Sequence, residues 1–581
     1  MRNIKPLENS VIPSSASLSH EKVFSFILLS AGMLSILAWR GAGYFDDTVQ
    51  YITMHIRREP VYPLYLAFFR FFFGSSDQPG VTGQAGLIAV TSQWKLFGVD
   101  FYLGIAAIVQ VLLNARVMVV TADRICRLLQ RRRHFFLLSI LLQLFTQLMT
   151  MAASENHLFL AGSLLTESLS VPLFSLFFTE CLAVMIAGRR NVCLPSSPEE
   201  PPASAFGKNR DKKSIVQPAA RALLLAFLLT LIRSQFVGMI PLWALVTAAA
   251  VCRSAKSAAR SGMPSSCAVG HESSHASLHH SSCSVSRSLF LRVLVILAAA
   301  GVALAGRGTA TCAYFDMLYG TWSDHSNANN VAMAYVLYAS NREDSRLIAD
   351  AKTRSYFLQM YDQAEAEGMN YSFTRGKSLE AKDALLENSY DPLKFDVIED
   401  IIFKDIHETL HSDYPAINQV ENKYTGEMIR SLLPAVWRQW LADYGILVLW
   451  GLFRSIGAAH RYLNAAEAGL YILAIVLLLL LRCHGLHNSC SAGHTQEKCG
   501  QKQSSPEQSE QNLCGRMQRS LNPEICFMTL ALLSIAANVL VTAIVSPCLG
   551  RYMIYTFPMF WTAMAALIQA AGISGRSPQT L

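Results

Sequence analysis

The chain has 581 residues, 52% hydrophobic and 15% charged, with a formal net charge of +8. Ordinary globular chains carry about 25% charged residues, so a soluble domain is excluded. The positive charge lies in loops between apolar runs, which argues against a nucleic-acid-binding face. Several of those runs approach the roughly 20 residues that cross a bilayer. In hydrocarbon their backbone groups must bond internally, so the runs must be helices. The expected fold class is an all-α polytopic membrane protein with about ten transmembrane helices, interfacial helices and a mostly helical extracytoplasmic module.

In chain order, Val23–Trp39 is the first apolar run. A cleaved signal peptide is the other reading of it, but a retained first helix is the rule in polytopic chains. Segment 40–100 follows as an outer loop, containing "GYFDDTVQYITMHIRREPVYPLYLAFFRFFFG" (43–74). Phe101–Val120 returns inward, and Arg133 begins an outward crossing to about Ala152. A stretch near 168–187 returns again. Residues 221–252 begin and end in basic loops, so they make a hairpin of two short helices that turns near Arg233–Pro241. Residues 288–306 cross outward. Segments 466–482, 523–546 and 552–573 complete the set.

Charge sets the orientation. Residues 122–134 hold five arginines against one aspartate, 189–221 seven Lys or Arg against three acids, and 253–292 five against one. Short basic loops stay in the cytoplasm. Segment 313–440 instead holds 20 acids against 12 Lys or Arg and has helix-friendly stretches, so it reads as a folded outer module. The expected organisation is an N-terminal transmembrane region (1–312, with the outer loop 40–100), the module (313–440) and a C-terminal transmembrane region (441–581). Residues 441–457 either span or lie flat; short, Trp-bearing and interrupted by Arg454, they favour an interfacial helix. The Cys/His stretches at 267–283 and 483–499 lack paired C-x2-C spacing, and their Ser-rich composition reads as disordered loop. The 13 cysteines, mostly in cytoplasmic loops, do not form a secreted disulfide framework.

The costly polar residues remain. Asp46 and Asp47 follow the first helix, Glu167 opens the helix that runs to Gly188, Arg233 sits at the hairpin turn, and Arg551 and Tyr552 open the last helix. Ionisable groups within or beside membrane helices are functional candidates. All fall on the outer face in this threading. A carboxylate can act as a general base, and arginine offers a donor fork matched to phosphate oxygens. Together they describe transfer from a lipid phosphate to a hydroxyl or amine. Each ion alone equally fits a helix-end anchor.

These motifs resemble the GT-C superfamily of polytopic glycosyltransferases. Within it the chain is similar to bacterial members related to protein mannosyltransferases and lipid A aminoarabinose transferases. "FDDTVQY" (45–51), with Tyr51, resembles the family's acidic pair in the first outer loop, and "REPVYPLYLAFFR", with Arg58, its following proline–aromatic stretch. Thr166–Glu167 resembles the acid at a later helix start, Thr230 to Pro241 the arginine hairpin, and Arg551, Tyr552 and Pro558 the terminal motif. The resemblance departs at Asp-Asp where many relatives have Asp-Glu, at the missing clean Pro-Pro near Pro60–Pro63, and over 313–440.

The resemblance implies an active site facing outward from a bacterial inner membrane, an assignment to which the ending "GRSPQTL" (no retention tail) also leans. Asp46 is then the base and Asp47 a supporting acid or a ligand for Mg2+ or Mn2+ through oxygen. Tyr51, Arg58, Glu167, Arg233, Arg551 and Tyr552 bind substrate. The donor is a polyprenyl-phosphate sugar, and the acceptor a lipid, glycan or protein. Stretch 48–73 lies along the interface and shapes the lipid entry groove. A transporter or flippase of a lipid-linked sugar is the competing reading, and a scaffold presenting the 313–440 module a third.

Overall fold

The structure, a computed structural model, describes residues 15–55, 57–74, 94–131, 133–153, 157–190, 208–261, 278–322, 328–410, 414–457, 463–498 and 523–574. The side chains of the Cys/His stretches at 267–283 and 484–499 lie outside the described residues. The described cysteines form no disulfide.

The chain is an all-α polytopic membrane protein. Among the described residues ten helices are long and apolar enough to cross a bilayer, and each coincides with an expected crossing. They belong to α1 (Ser15–Arg40), α4 (Phe101–Leu129), α5 (Arg133–Ala153), α6 (Glu167–Arg190), α7 (Lys208–Ile232), α8 (Met239–Ser261), α9 (Leu278–Tyr319), α15 (Asn464–Lys498), α16 (Pro523–Val545) and the terminal helical run over 550–572. Within that run a short helix α17 (Gly550–Met553) leads into α18 (Phe557–Ser574).

Helix α6 is the most enclosed, while α9 and α15 are the least. The cause is legible in "SLSVPLFSLFFTECLAVMIAG" (168–188), which is apolar or small on nearly every face, the pattern of a helix packed all round. Gly188 lets α8 approach, since a Cβ there would meet Ala250 at 3.0 Å. Pro172 lacks the N–H that would bond the Ser168 carbonyl. Asn114 on α4 supplies the missing donor at 2.8 Å.

At one end of the bundle the arginines of 122–134 and their neighbours meet buried acids. Glu180 takes Arg124 and, at 2.9 Å, Arg221. Asp123 takes Lys22 at 2.8 Å and Arg127 at 2.5 Å, and Glu524 takes Arg131. The described parts of segment 40–100 lie at the other end. They hold α2 (Asp46–Ile52), α3 (Val61–Phe73) and a short hairpin of β1 (Lys95–Leu96) and β2 (Val99–Asp100). Helix α3 buries Tyr62, Pro63, Leu66 and Phe69 and exposes Leu64, Phe68, Phe71, Phe72 and Phe73.

The 313–440 segment is helical as expected. It carries α10 (Ala328–Ala339), α11 (Ala351–Ala366), α12 (Leu379–Pro392), a π-helical turn (Leu393–Glu399) and α13 (Asp400–Leu410). It then enters α14 (Tyr414–Arg454). Residues 441–454 continue α14 without a break at 440, and this run is not among the ten helices long and apolar enough to cross a bilayer. Arg454 has its charge met within the protein. It bonds Asp383 at 2.9 Å and Glu387 at 2.7 Å on α12, and the Cys548 carbonyl at 3.1 Å.

Candidate active site

The first outer loop is held against the start of α6 by backbone. Helix α1 ends at Gly41, whose φ of +80° suits glycine. Gly43 then bridges to Ser163: its N–H donates to the Gly162 carbonyl at 3.2 Å, and its carbonyl accepts from Leu164 N–H at 2.8 Å. Two residues into α2, the buried Thr48 hydroxyl donates to the Leu164 carbonyl at 3.0 Å and accepts from Phe45 N–H. These bonds set Asp46 and Asp47, in the first turn of α2, beside Glu167, the first residue of α6.

Around them three arginines converge. Arg58 bonds the Asp47 carboxylate and lies 5.0 Å from the centre of the Tyr51 ring. Arg551 Nη1 faces the other Asp47 oxygen at 3.9 Å, and its Nη2 donates to the Tyr552 hydroxyl at 2.8 Å. The Arg551 Nε is buried without a hydrogen-bond partner. Arg233, at the start of the turn Ser234–Gly238, donates to Glu167 at 2.6 Å and to Thr166 Oγ1 at 3.3 Å. The guanidinium groups of Arg233 and Arg551 both lie on the Tyr552 ring, 4.0 and 4.9 Å from its centre. Tyr51 is buried edge-on against Tyr62.

Asp47, Tyr51, Arg58, Glu167, Arg233, Arg551 and Tyr552 therefore form one connected cluster. Asp46 stands at its edge, exposed and without an ion pair among the described residues. Burial by itself raises the Asp47 pKa, but Arg58, Arg551 and Arg233 outweigh it and hold the carboxyl below its ordinary range. Burial first, then Arg57 and Arg58, pushes His55 down to about 4, so its imidazole is neutral at pH 7. The cluster's pairings use two acids against three arginines, which leaves positive charge for an anion.

A divalent cation fits less well. Mg2+ or Mn2+ takes mainly oxygen ligands, whereas both Asp47 oxygens face guanidinium groups. Among the described residues no group of three or more His, Cys, Asp or Glu side chains converges. The side chains at Asp47 do not fit a metal, and no step below runs through one.

The 313–440 module adds residues that sequence reasoning missed. Arg57 donates to Glu399 at 2.6 Å and lies 3.9 Å from Glu421 on α14. Glu59 takes Arg307 of α9 at 2.5 Å, and the Tyr319 hydroxyl donates to the Met54 carbonyl at 2.9 Å. The loop bearing Asp46 and Asp47 is thus tied to the module and to α9. The only available signal was the run of opposite charges, "IRREP" (56–60) against the acidic module.

No family model, curated protein or solved structure matches the chain.

Proposed function

We propose that the protein is a membrane glycosyltransferase that moves a sugar from a polyprenyl-phosphate donor to an acceptor at the outer face of the membrane. The observation that carries this reading is the convergence of Asp47, Arg58, Glu167, Arg233 and Arg551, from four separated stretches, into one arginine-rich cluster with the exposed Asp46 carboxylate beside it.

The chemistry follows from those groups. Arg551, Arg58 and Arg233 bind the donor phosphate, with Asp47 and Glu167 holding the guanidinium groups in place. Asp46 accepts the proton of the acceptor hydroxyl or amine. The acceptor's bond to the sugar C1 forms as the C1–O bond to phosphate breaks. The bonding pair leaves with polyprenyl phosphate, which gains one negative charge that the arginines stabilise. The exposed aromatic face of α3 suits the acyl layer beside such a site. The basic ends of α4 and α6 lie at the opposite end of the bundle, which supports an outward-facing site.

The test is reconstitution in liposomes with labelled polyprenyl-phosphate sugar. Transfer predicts free polyprenyl phosphate together with labelled acceptor, both lost in Arg551→Met. Movement of intact donor across the bilayer, with no lipid phosphate released, would establish a flippase instead.

A further inference from the structure

The two arginines that face Asp47, Arg58 and Arg551, come from opposite ends of the chain. Ordering two long side chains of like charge beside one another costs entropy and repulsion. The outer module supplies a hold beside each of them.

The first hold is at Arg57. Its Nη1 donates to one Glu399 oxygen at 2.6 Å and its Nη2 lies 2.5 Å from the other, with Glu421 of α14 at 3.9 Å. Glu399 closes the π-helical turn Leu393–Glu399, a kind of wide turn that collects at functional sites. The next residue is Arg58. Its Nε donates to Gln50 of α2 at 2.8 Å, and its Nη2 bonds Asp47. One peptide bond therefore separates a contact with the module from a contact with the site.

The second hold is at Arg454, the last residue of α14. One edge of its guanidinium meets Asp383 and Glu387 of α12, and the other donates to the Cys548 carbonyl. Cys548 is fully buried against α14, where a Cβ on Gly451 would meet its Sγ at 2.9 Å. From Cys548 the chain is pinned as far as Arg551. The Tyr552 N–H donates to the Leu549 carbonyl at 2.9 Å, and Asn538 of α16 donates to the Tyr552 carbonyl at 2.9 Å. Both holds have the same make-up, an enclosed arginine with two module carboxylates in reach. A planar fork held in this way fixes direction as well as charge.

We propose that Arg57 and Arg454 are positioning residues, through which the outer module sets the separation of Arg58 and Arg551 across Asp47 and so the fit of the bound phosphate. This rests on reading the cluster as phosphate-binding. Lysine at either position keeps the charge but has no planar fork, so it cannot hold the module and the site segment in one geometry.

The experiment uses full-length protein in nanodiscs, with inorganic phosphate as the probe. It is titrated into wild type, Arg57→Lys, Arg454→Lys, Arg58→Met, Arg551→Met and the doubles Arg57→Lys/Arg58→Met and Arg454→Lys/Arg551→Met. Each Lys variant is expected to bind phosphate about tenfold more weakly than wild type. Each double is expected to bind no more weakly than its Met single variant, because the positioning residue has nothing left to position. Wild-type affinity in both Lys variants overturns the proposal, and so do losses that add in full in both doubles. The doubles decide even where a Lys variant melts earlier than wild type, since a defect spread over the fold adds to the Met variant and a positioning defect does not. Absence of phosphate binding in wild type would remove the phosphate reading itself; binding in wild type with additive doubles removes only this proposal.

Discussion

Asp46 and Asp47 are adjacent in sequence and different in surroundings. Asp47 faces two arginines, whereas Asp46 is exposed and makes no ion pair among the described residues. Glu167 is almost fully enclosed, its side chain 2% exposed, with Arg233 as its cation. Removing one partner of a buried pair strands the other at about 3–5 kcal/mol. Glu167→Gln is therefore expected to lower thermal stability in detergent markedly. The double variant Glu167→Leu/Arg233→Met should recover most of it while remaining inactive. A Glu167→Gln variant as stable as wild type would contradict the pairing. At this scale the sequence named most of the cluster, because a charged side chain beside an apolar run is conspicuous. The metal role given to Asp47 does not suit oxygens that face Arg58, 11 residues on, and Arg551, from the far end of the chain. Sequence reasoning could not see Glu399, which is an unremarkable letter in a polar segment.

The elements matter as carriers. The bridge between Gly43 and Ser163 fixes where α2 begins relative to α6, and it tolerates little there. A Cβ on Gly43 would meet the Phe45 ring at 3.0 Å and the Ser163 Cβ at 3.2 Å. Overpacking of this kind costs about 1–3 kcal/mol. Gly43→Val is expected to displace the Asp46–Asp47 turn, weakening phosphate binding while the bundle stays folded; unchanged phosphate affinity would count against the bridge as the positioning device. The ten spans were legible because each is a long apolar run with charged flanks. What Arg454 pairs with was not legible in the 441–457 stretch. Its partners Asp383 and Glu387 sit on α12, and no local pattern links them to it.

At the scale of the molecule, the two ends of the bundle use charge differently. One end satisfies its arginines with Glu180, Asp123 and Glu524. The other brings Arg58, Arg233 and Arg551 together with Asp47 and Glu167 and roofs them with the acidic module. That junction carries a pH signature. Burial, against the pull of Arg57, pushes Glu421 up to about 7 from an ordinary 4.5. Folding then takes up a proton between those values, so stability falls as pH rises from about 4.5 to 7 and levels off above. Glu421→Gln should flatten that part of the melting-temperature profile; an unchanged slope would place the titrating group elsewhere.

The account depends most on Asp46 acting on a lipid phosphate that the arginines hold. The direct measurement is phosphorus NMR of a polyprenyl-phosphate sugar added to reconstituted protein with acceptor present. Wild type is predicted to convert the phosphodiester signal into that of a phosphomonoester. Asp46→Asn is predicted to shift and broaden the diester signal by binding, without converting it. Full conversion by Asp46→Asn, or no conversion by wild type with any acceptor class, would contradict the account.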